Sequence, residues 1–426
     1  MKEVAMKRER ALLASLIALM SLCGTSRAQW IAQTSNTSVR LTDVVMLDSL
    51  TAICVGDSGK ILKTTNAGDV WTEKFSGLQK WNAIAFVNPT SGFVVGNRMA
   101  VATTTDGGET WASWSLSGPS NLLTIACIGM ISVFIGSDSG AIIISHDGGS
   151  TWNSPIRFGS GPINWIFGAR GDFLPVWVYG VMPRTALKSS DLGASWTEHS
   201  LPLTLLYGSA LRGTLAPDGN AFIVGYDGQP GPLPVILRRT PLDTAWTRFV
   251  FMPPVLPRIL SDVSAPTSQV AYACGTLGIM FKTTDGGNFW SYHESGTRRD
   301  LHAIEFINDQ RGFAVGDSGT ILFTSNGGLT SVDKTAPVPR LFTLFQNYPN
   351  PFNPSTMLRY DVPCATHVSL RVYTMLGQEV VTLVNEEQQP GYKSVVFAAD
   401  RFASGVYFYR LVAGTFVAVK KMVVVK

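Results

Sequence analysis

The chain is poor in charge, cysteine and histidine, and it has almost no long apolar run. Charged residues make up only 15% of its 426 residues, and the formal net charge is +4. Residues 1–28 hold five Lys/Arg and two Glu, so without them the net charge falls to +1. Bulk charge therefore excludes a nucleic-acid-binding or membrane-surface protein. The five cysteines (Cys23, Cys54, Cys127, Cys274 and Cys364) show no CxxC spacing. Neither a zinc ladder nor a dithiol site follows from them; they read as small buried hydrophobes. Five scattered histidines without an HExxH pattern give no catalytic metal site, and no cofactor is expected. The two GDSG segments, at 56–59 and 316–319, lie between β-patterned runs and open no helix, so they are hairpin turns and not phosphate loops. With no His or Asp partners nearby, they are not serine-protease nucleophile environments either.

The one apolar stretch near the start, Ala11–Cys23, is 13 residues long, too short to span a bilayer. Lys2, Lys7, Arg8 and Arg10 precede it, and Ser26-Arg27-Ala28 follows with small residues at the −3 and −1 positions of a peptidase site. Residues 1–28 are therefore expected to be a signal peptide cleaved before Gln29. Leu22 stands where a lipoprotein signal needs a small residue. The mature chain is expected to have no transmembrane segment.

Turn formers are plentiful, with 41 Gly and 23 Pro beside 45% hydrophobic residues, a β-rich composition. Seven turn segments recur: TTNAGDVW (64–71), TTDGGETW (104–111), SHDGGSTW (145–152), SSDLGASW (189–196), RTPLDTAW (239–246), TTDGGNFW (283–290) and TSNGGLTS (324–331). Six end in a tryptophan: Trp71, Trp111, Trp152, Trp196, Trp246 and Trp290. Their spacing of 40–50 residues is that of a propeller blade. Each unit reads as four strands: LxxIxF, GFxVG, GxILxT, then the strand that carries Trp. Asn66, Asp106, Asp147, Asp191, Asp285 and Asn326 hold the turns, because Asx side chains accept backbone hydrogen bonds a few residues on. The following Gly supplies positive φ, and Trp is expected to anchor the hairpin against its own blade. The fifth turn departs, with Pro241 where the acid belongs and Asp243 two places late. An insert at Gly225–Pro234 precedes it. The seventh turn has Ser331 in place of Trp, and Trp30 lies one period before Trp71. The segment after Trp30 is therefore expected to supply the outer strand of the last blade and close the ring.

The expected fold is all-β: a seven-bladed β-propeller over 29–331, a linker at 332–340, and a small Ig-like β-sandwich over 341–426. The turns resemble Asp-box (BNR) repeats, and the whole unit is similar to the photosystem II assembly/stability factor type of propeller. That similarity implies the fold and not a photosynthetic role. In the C-terminal module, Asn350-Pro351-Phe352-Asn353-Pro354, Leu376-Gly377, Ser404-Gly405-Val406-Tyr407 and Lys420-Lys421 resemble the type A sorting domain of the type IX secretion system. The resemblance implies that the type IX machinery is a partner, that Gly405, Tyr407, Lys420 and Lys421 belong to the sorting signal, and that the propeller ends up secreted or attached to the outer cell surface.

Asp-box propellers include sialidases, so a secreted carbohydrate-active enzyme is the alternative. A sialidase needs an Arg cluster, a Tyr nucleophile with a Glu partner and an acid, with an early Arg-Ile-Pro. Here Pro257-Arg258-Ile259-Leu260 and Met182-Pro183-Arg184 match neither form nor place, and Glu73, Glu109, Glu198 and Glu294 read as outer-strand residues. The expectation is a non-catalytic protein that binds an unidentified protein or glycan. Alternating strand direction puts Arg40, Lys80, Arg258 and Arg299 on one face with the hairpins of Asp57, Asn97, Asp138, Asp227 and Asp317. That mixed polar rim is the candidate ligand face; the Asp-box turns occupy the other.

Overall fold

In a computed structural model, the structure describes residues 30–128, 131–168, 178–203, 208–228, 231–241, 243, 245–251, 258–328, 341–347 and 350–425. The expected signal peptide, Ser331 and the linker lie outside them. The chain divides into two units, Met1–Gly328 and Leu329–Lys426.

The first unit contains seven four-stranded antiparallel sheets. Blade 1 runs Leu41–Met46, Ala52–Gly56, Ile61–Thr64 and Thr72–Phe75, and the next five blades repeat this order along the chain. The innermost strands of blades 2 to 7 are Trp81–Phe86, Leu122–Ile128, Trp165–Gly168, Ser209–Leu215, Leu260–Ser264 and Leu301–Phe306. The last blade takes three strands from the end of the unit, and its fourth is Ile31–Gln33, paired with Ile321–Phe323. Trp30 is buried beside it. The N-terminal strand thus closes the ring.

The Asp-box turns have the hydrogen bonds their sequence requires. In blade 2, Thr104 Oγ1 donates to Asp106 Oδ1 at 2.8 Å and accepts from Gly108 N at 2.9 Å, while Asp106 accepts from Thr110 N at 3.0 Å. Asp147, Asp191 and Asp285 repeat the motif, accepting from Thr151 N, Ser195 N and Phe289 N. Asn66 does so for Val70 N, and Asn326 Oδ1 accepts from Thr324 Oγ1. These bonds hold the carboxyls of Asp147 and Asp191 down at about 2, chiefly through the Thr151 and Ser195 hydroxyls. In blade 5, where Pro241 displaces the acid, Asp243 Oδ2 accepts from Thr240 N at 2.8 Å, so a different local bond closes that turn.

The tryptophans do not pack only on their own blades. Trp71 meets Phe313 of blade 7, Trp152 meets Phe93 of blade 2, Trp196 meets Phe134 of blade 3, Trp246 meets Tyr179 of blade 4 and Trp290 meets Phe222 of blade 5, all edge-to-face. Trp111 meets Phe86 of its own blade and shares a core cluster with Ile53 of blade 1. Trp30 meets Phe306, which stacks on Tyr272 of blade 6. The residue on the preceding blade is the second of its second strand, except Phe134, which is the third of Ser132–Ser137. The second box glycine lies against it: a Cβ on Gly149 (φ +88°) would sit 2.6 Å from the Phe93 ring. Each box is therefore an inter-blade clamp, and its apolar partner comes from the neighbour because the blade faces, not the strand edges, bury the most area.

In the second unit, Ser355–Val362 pairs with Thr343–Leu344 and Gly391–Ala398 in one sheet. The other sheet has the order Glu379–Gln388, Thr366–Thr374, Gly405–Ala413, Phe416–Val424. Leu358, Tyr360, Leu370, Tyr409 and Met422 fill the space between them, a small β-sandwich. Gly377 (φ +79°) and Gly414 (φ +58°) turn the hairpins after Thr366–Thr374 and Gly405–Ala413. Cys54, Cys127 and Cys274 are buried, as expected of small hydrophobes, but Cys364 is exposed in the turn after Ser355–Val362; a turn residue has no sheet face to bury.

Candidate functional site

The innermost strands surround a central channel. In blades 1, 2, 3, 5, 6 and 7 the pairing of this strand slips by one residue near its start. The slip turns the second residue toward the next blade: Thr42 Oγ1 donates to Trp81 O at 2.8 Å and Asn82 Nδ2 to Leu122 O at 2.7 Å. The third residue then takes the following blade's amide. Asp43 Oδ2 accepts from Ile84 N at 2.9 Å, Thr124 Oγ1 from Ile166 N at 3.0 Å, and Asp262 Oδ2 from Ile304 N at 2.9 Å.

In blade 5 the residue in the same place, just past the slip, is Arg212. Its guanidinium crosses the channel to Asp43 Oδ1 at 2.9 Å, Thr42 O at 2.9 Å and Asp262 Oδ2 at 3.4 Å, with Cζ 4.0 Å from the centre of the Trp165 ring. Blades 1, 4, 5 and 6 thus meet on one side chain. Burial raises the carboxyls of both Asp43 and Asp262 against the pull of Arg212, and the Asp43 charge helps push Asp262 up to about 6. Burial also works against the charge of Arg212, but Asp43 and Asp262 outweigh it and raise its pKa.

A cavity of about 610 Å³ begins at Asp43 and Asp262 and reaches Asp218, Pro241 and Pro266 in the hairpins of the Asp-box side. Ile84, Ile125, Phe167 and Ile304 form part of its wall. It lies toward the face opposite the four cations singled out in the sequence. Those cations sit on the other rim, bonded to its hairpins. Arg40 Nε donates to Asp317 Oδ1 at 2.9 Å, Lys80 stands 4.0 Å from Asp57, and Arg299 donates to Ser318 O at 3.1 Å. Arg258 donates its amide to Pro232 O at 2.9 Å. Each of the first three joins an entry loop to a hairpin, and His302 adds a 2.7 Å contact to Asp317. Burial lowers the His302 imidazole despite that carboxylate. Asp227, expected on this rim, is fully buried and pairs with Arg248 at 2.5 Å; the strands flanking the blade 5 insert extend far enough to enclose it. Among the described residues no three His, Cys, Asp or Glu side chains come together as metal ligands.

With this architecture in view, the family model described as photosynthesis system II assembly factor YCF48 matches residues 23–325. The chain belongs to that family. Among solved structures, YCF48 bound to D1 peptide superimposes with a TM-score of 0.56 at 19% identity, over 70% of this chain and 97% of that one. YCF48 from Cyanidioschyzon merolae gives 0.55 at 19%, over 70% and 98%. The WD40 propeller of Doa1 gives 0.55 at 11%, over 70% and 98%. At these identities the likeness is one of fold. The photosystem II stability/assembly factor HCF136 is 32% identical over 63 residues in Arabidopsis thaliana and 30% over 63 in Oryza sativa subsp. japonica, 14% of this chain in each case. The chain thus spans only about a sixth of the length of these curated relatives.

A secretion system C-terminal sorting domain matches residues 346–425. This YCF48-family propeller is therefore exported by type IX secretion to the cell surface or the extracellular space. In the sorting domain, Gly405 begins a strand and Tyr407 Oη donates to Ala403 O at 3.0 Å. Lys420 and Lys421 are exposed on the final strand. The outer edge of that strand is partly covered. Lys421 O accepts from Gln346 at 2.6 Å, Val423 N donates to Asn350 at 2.8 Å, and Phe352 brackets Val423 and Val425 at 3.0 Å. The Asn-Pro-Phe entry segment lies along that edge because an unpaired strand edge needs cover.

Proposed function

We propose that the mature chain is a non-catalytic binding protein of the cell surface or extracellular space, made by signal-peptide cleavage before Gln29, and that its propeller channel receives a ligand carried by another protein. The observation that supports this most is the commitment of the channel carboxylates. Asp43 and Asp262 each accept a neighbouring blade's amide and share Arg212. A glycosidase would need a pair of carboxyls free to act as acid and nucleophile or base; here the pair holds the ring. The Asp-box carboxylates are likewise used by their own turns. The related YCF48 in complex with D1 peptide makes a peptide segment the first class of ligand to test.

The mature chain should bind members of a peptide array, or failing that a glycan array, and should release no product from sialosides or aryl glycosides. Steady turnover of any of these, abolished by Asp262→Asn, would replace the binding reading with the enzyme.

A further inference from the structure

Three basic groups meet between blades 4 and 5, and one of them carries a buried nitrogen with no acceptor. Arg239 ends the third strand of blade 5, Leu233–Arg239. Strand alternation puts it on the face of Val235 and Leu237, which pack with Tyr179 and Ala186 of blade 4. It takes the first position of the fifth box. In the other six boxes that position is Thr or Ser. There the hydroxyl accepts from an amide of its own turn, as Ser189 does from Gly193 N at 2.8 Å. A guanidinium cannot accept. Arg239 Nε donates to Asp243 O at 3.1 Å, but Nη1 is buried without a hydrogen-bond partner, in a residue only 9% exposed. Such a donor costs stability until an acceptor reaches it.

Blade 4 adds Lys188 and His199. Lys188 lies two residues on from Ala186, which pairs with His199 on the outermost strand, so both side chains share the face toward blade 5. Lys188 Nζ lies 5.9 Å from the centre of the Tyr179 ring, and that ring meets Trp246 of blade 5 edge-to-face at 6.0 Å. In other blades the cation just before the box hydroxyl reaches an oxygen of the next blade's box: Lys63 meets Glu109 at 2.6 Å, and Lys282 meets Gly327 O at 3.0 Å. The box next to Lys188 has Arg239 for its hydroxyl and Pro241 for its acid. Burial first, and then the Arg239 charge, hold the Lys188 ammonium and the His199 imidazole below their usual ranges. Among the described residues no carboxylate lies within 4.0 Å of Arg239 or His199. Thr197 Oγ1 gives its one hydrogen to Lys188 O at 3.2 Å, so His199 Nε2 donates to that oxygen at 3.3 Å. Nδ1 is then the nitrogen that takes up a proton.

We propose that Arg239, Lys188 and His199 form a binding site for a tetrahedral oxyanion of the phosphate or sulfate class, either free or carried as a monoester. The site is separate from the channel. Charge decides the ligand: two permanent cations and an imidazole that can take up a proton suit a dianion, whereas a single carboxylate would neutralise only one of them. Donors from two blades suit oxygens that point in several directions. Lys188 and His199 are half-buried, so the group opens to solvent at the blade edge, with Arg239 the most buried of the three.

Titration calorimetry on the full mature chain at pH 7 and constant ionic strength tests this with inorganic phosphate, phenyl phosphate and acetate. Phosphate or phenyl phosphate is expected to bind, with acetate at least about tenfold weaker, the range of a charge-assisted hydrogen bond. Phenyl phosphate binding as tightly as phosphate or more so assigns the site to an ester-borne group; binding of phosphate alone assigns it to the free ion. Arg239→Ser, which restores the residue type of the other boxes, and Lys188→Met, which keeps the apolar stem, should each weaken binding by about 10–100-fold. Phosphate should also raise the pH at which the His199 ring proton resonance titrates, a shift that a purely structural cluster would not show. No binding of either phosphate, acetate as tight as both, or parental affinity in the folded variants overturns the proposal. The acetate comparison and the His199 titration use the parent protein, so they stand even if Arg239→Ser fails to fold. Any of these failures leaves the reading of the channel intact.

Discussion

Arg212 of blade 5 donates to Asp43 of blade 1 at 2.9 Å, across the channel from a strand 169 residues later in the chain. Blades 6 and 7 stand between the two along the ring, so the bond ties together parts that no strand pairing connects. Arg212→Met would keep the apolar stem and leave Asp43 and Asp262 as unpaired buried charges. Such a change costs about 3–5 kcal/mol. Urea unfolding should show that loss, and Asp43→Asn combined with Asp262→Asn should recover much of it.

Asp262 has a pH signature of its own. Facing it are Arg212 from blade 5, Asp43 from blade 1 and the buried thiol of Cys274 on the adjacent strand. Its carboxyl is raised in the folded state from 3.8 to about 6. The folded protein therefore holds this proton more tightly than the unfolded chain does. Its effect on stability is least favourable above pH 6 and improves as the pH falls from about 6 toward 3.8. Asp147 and Asp191 work in the opposite sense: their stabilisation is present above 3.8 and is lost as the pH falls toward 2. Relative to Asp262→Asn, the parent should gain up to about 3 kcal/mol between pH 7 and pH 4. Parallel melts at those two pH values measure the difference; identical curves for parent and variant would rule out Asp262 as the titrating group.

The ring, its blade count and the N-terminal closing strand were legible in the sequence because a fixed period and a local turn chemistry state them directly. Ser331 without a Trp, and Trp30 without a turn, already implied each other. Two features were not legible. The tryptophans pack on the preceding blade, and nothing within a single repeat says which neighbour its aromatic ring will meet. The channel cluster was missed because Asp43, Arg212 and Asp262 lie in three different repeats, and the rim cations Arg40, Lys80 and Arg299 drew attention as the more visible charges. A signal was there: each of the three is a charge inside an innermost strand, just past the slip in its pairing, where a charge needs a partner.

Trp30→Ala should loosen the last blade. The indole is 4% exposed and packs edge-to-face on Phe306, which in turn stacks on Tyr272 of blade 6. Its removal is expected to cost about 3–5 kcal/mol. Hydrogen exchange should then speed up first in Ile321–Thr324, the strand that Ile31–Gln33 covers. Uniform exchange, or an unchanged melting temperature, would count against closure by this segment.

Gly275→Ala tests why a glycine recurs at the end of the second strand. A Cβ there would lie 1.9 Å from Ile259 O, and one on Gly56 would lie 2.1 Å from Arg40 O. The entry-loop carbonyl sits against the glycine to accept the next amide, Thr276 N at 3.0 Å and Asp57 N at 2.9 Å respectively. The substitution must push the entry loop away, so it should destabilise by more than about 1 kcal/mol, the scale of a lost backbone hydrogen bond. Gly148→Ala is a control for glycine at a roomy position, since its Cβ would meet nothing within 4 Å, although its φ of +70° still carries strain.

The sorting domain calls for point changes instead of a truncation. Cutting after Ala418 would remove Met422 and Val424, which are buried in the sandwich core, together with the strand residues that pair with Gly405–Arg410. The domain would then lose its fold as well as its signal, and retention in the periplasm would not separate the two effects. Lys420 and Lys421 are exposed, so Lys420→Glu with Lys421→Glu changes the charge of the edge and leaves the core intact. In a host with the type IX machinery, the double variant should accumulate in the periplasm with an unchanged melting profile. Residues 332–426 fused to an unrelated signal-bearing cargo should carry that cargo to the surface. If the double variant reaches the surface at parental levels while the fusion is delivered, the domain is still an address but the two lysines are not part of what is read. In that case the remaining candidates are Tyr407, whose hydroxyl closes on Ala403, and the Asn350–Phe352 segment, whose bonds to Lys421 O, Val423 and Val425 fix the edge that an export receptor would meet.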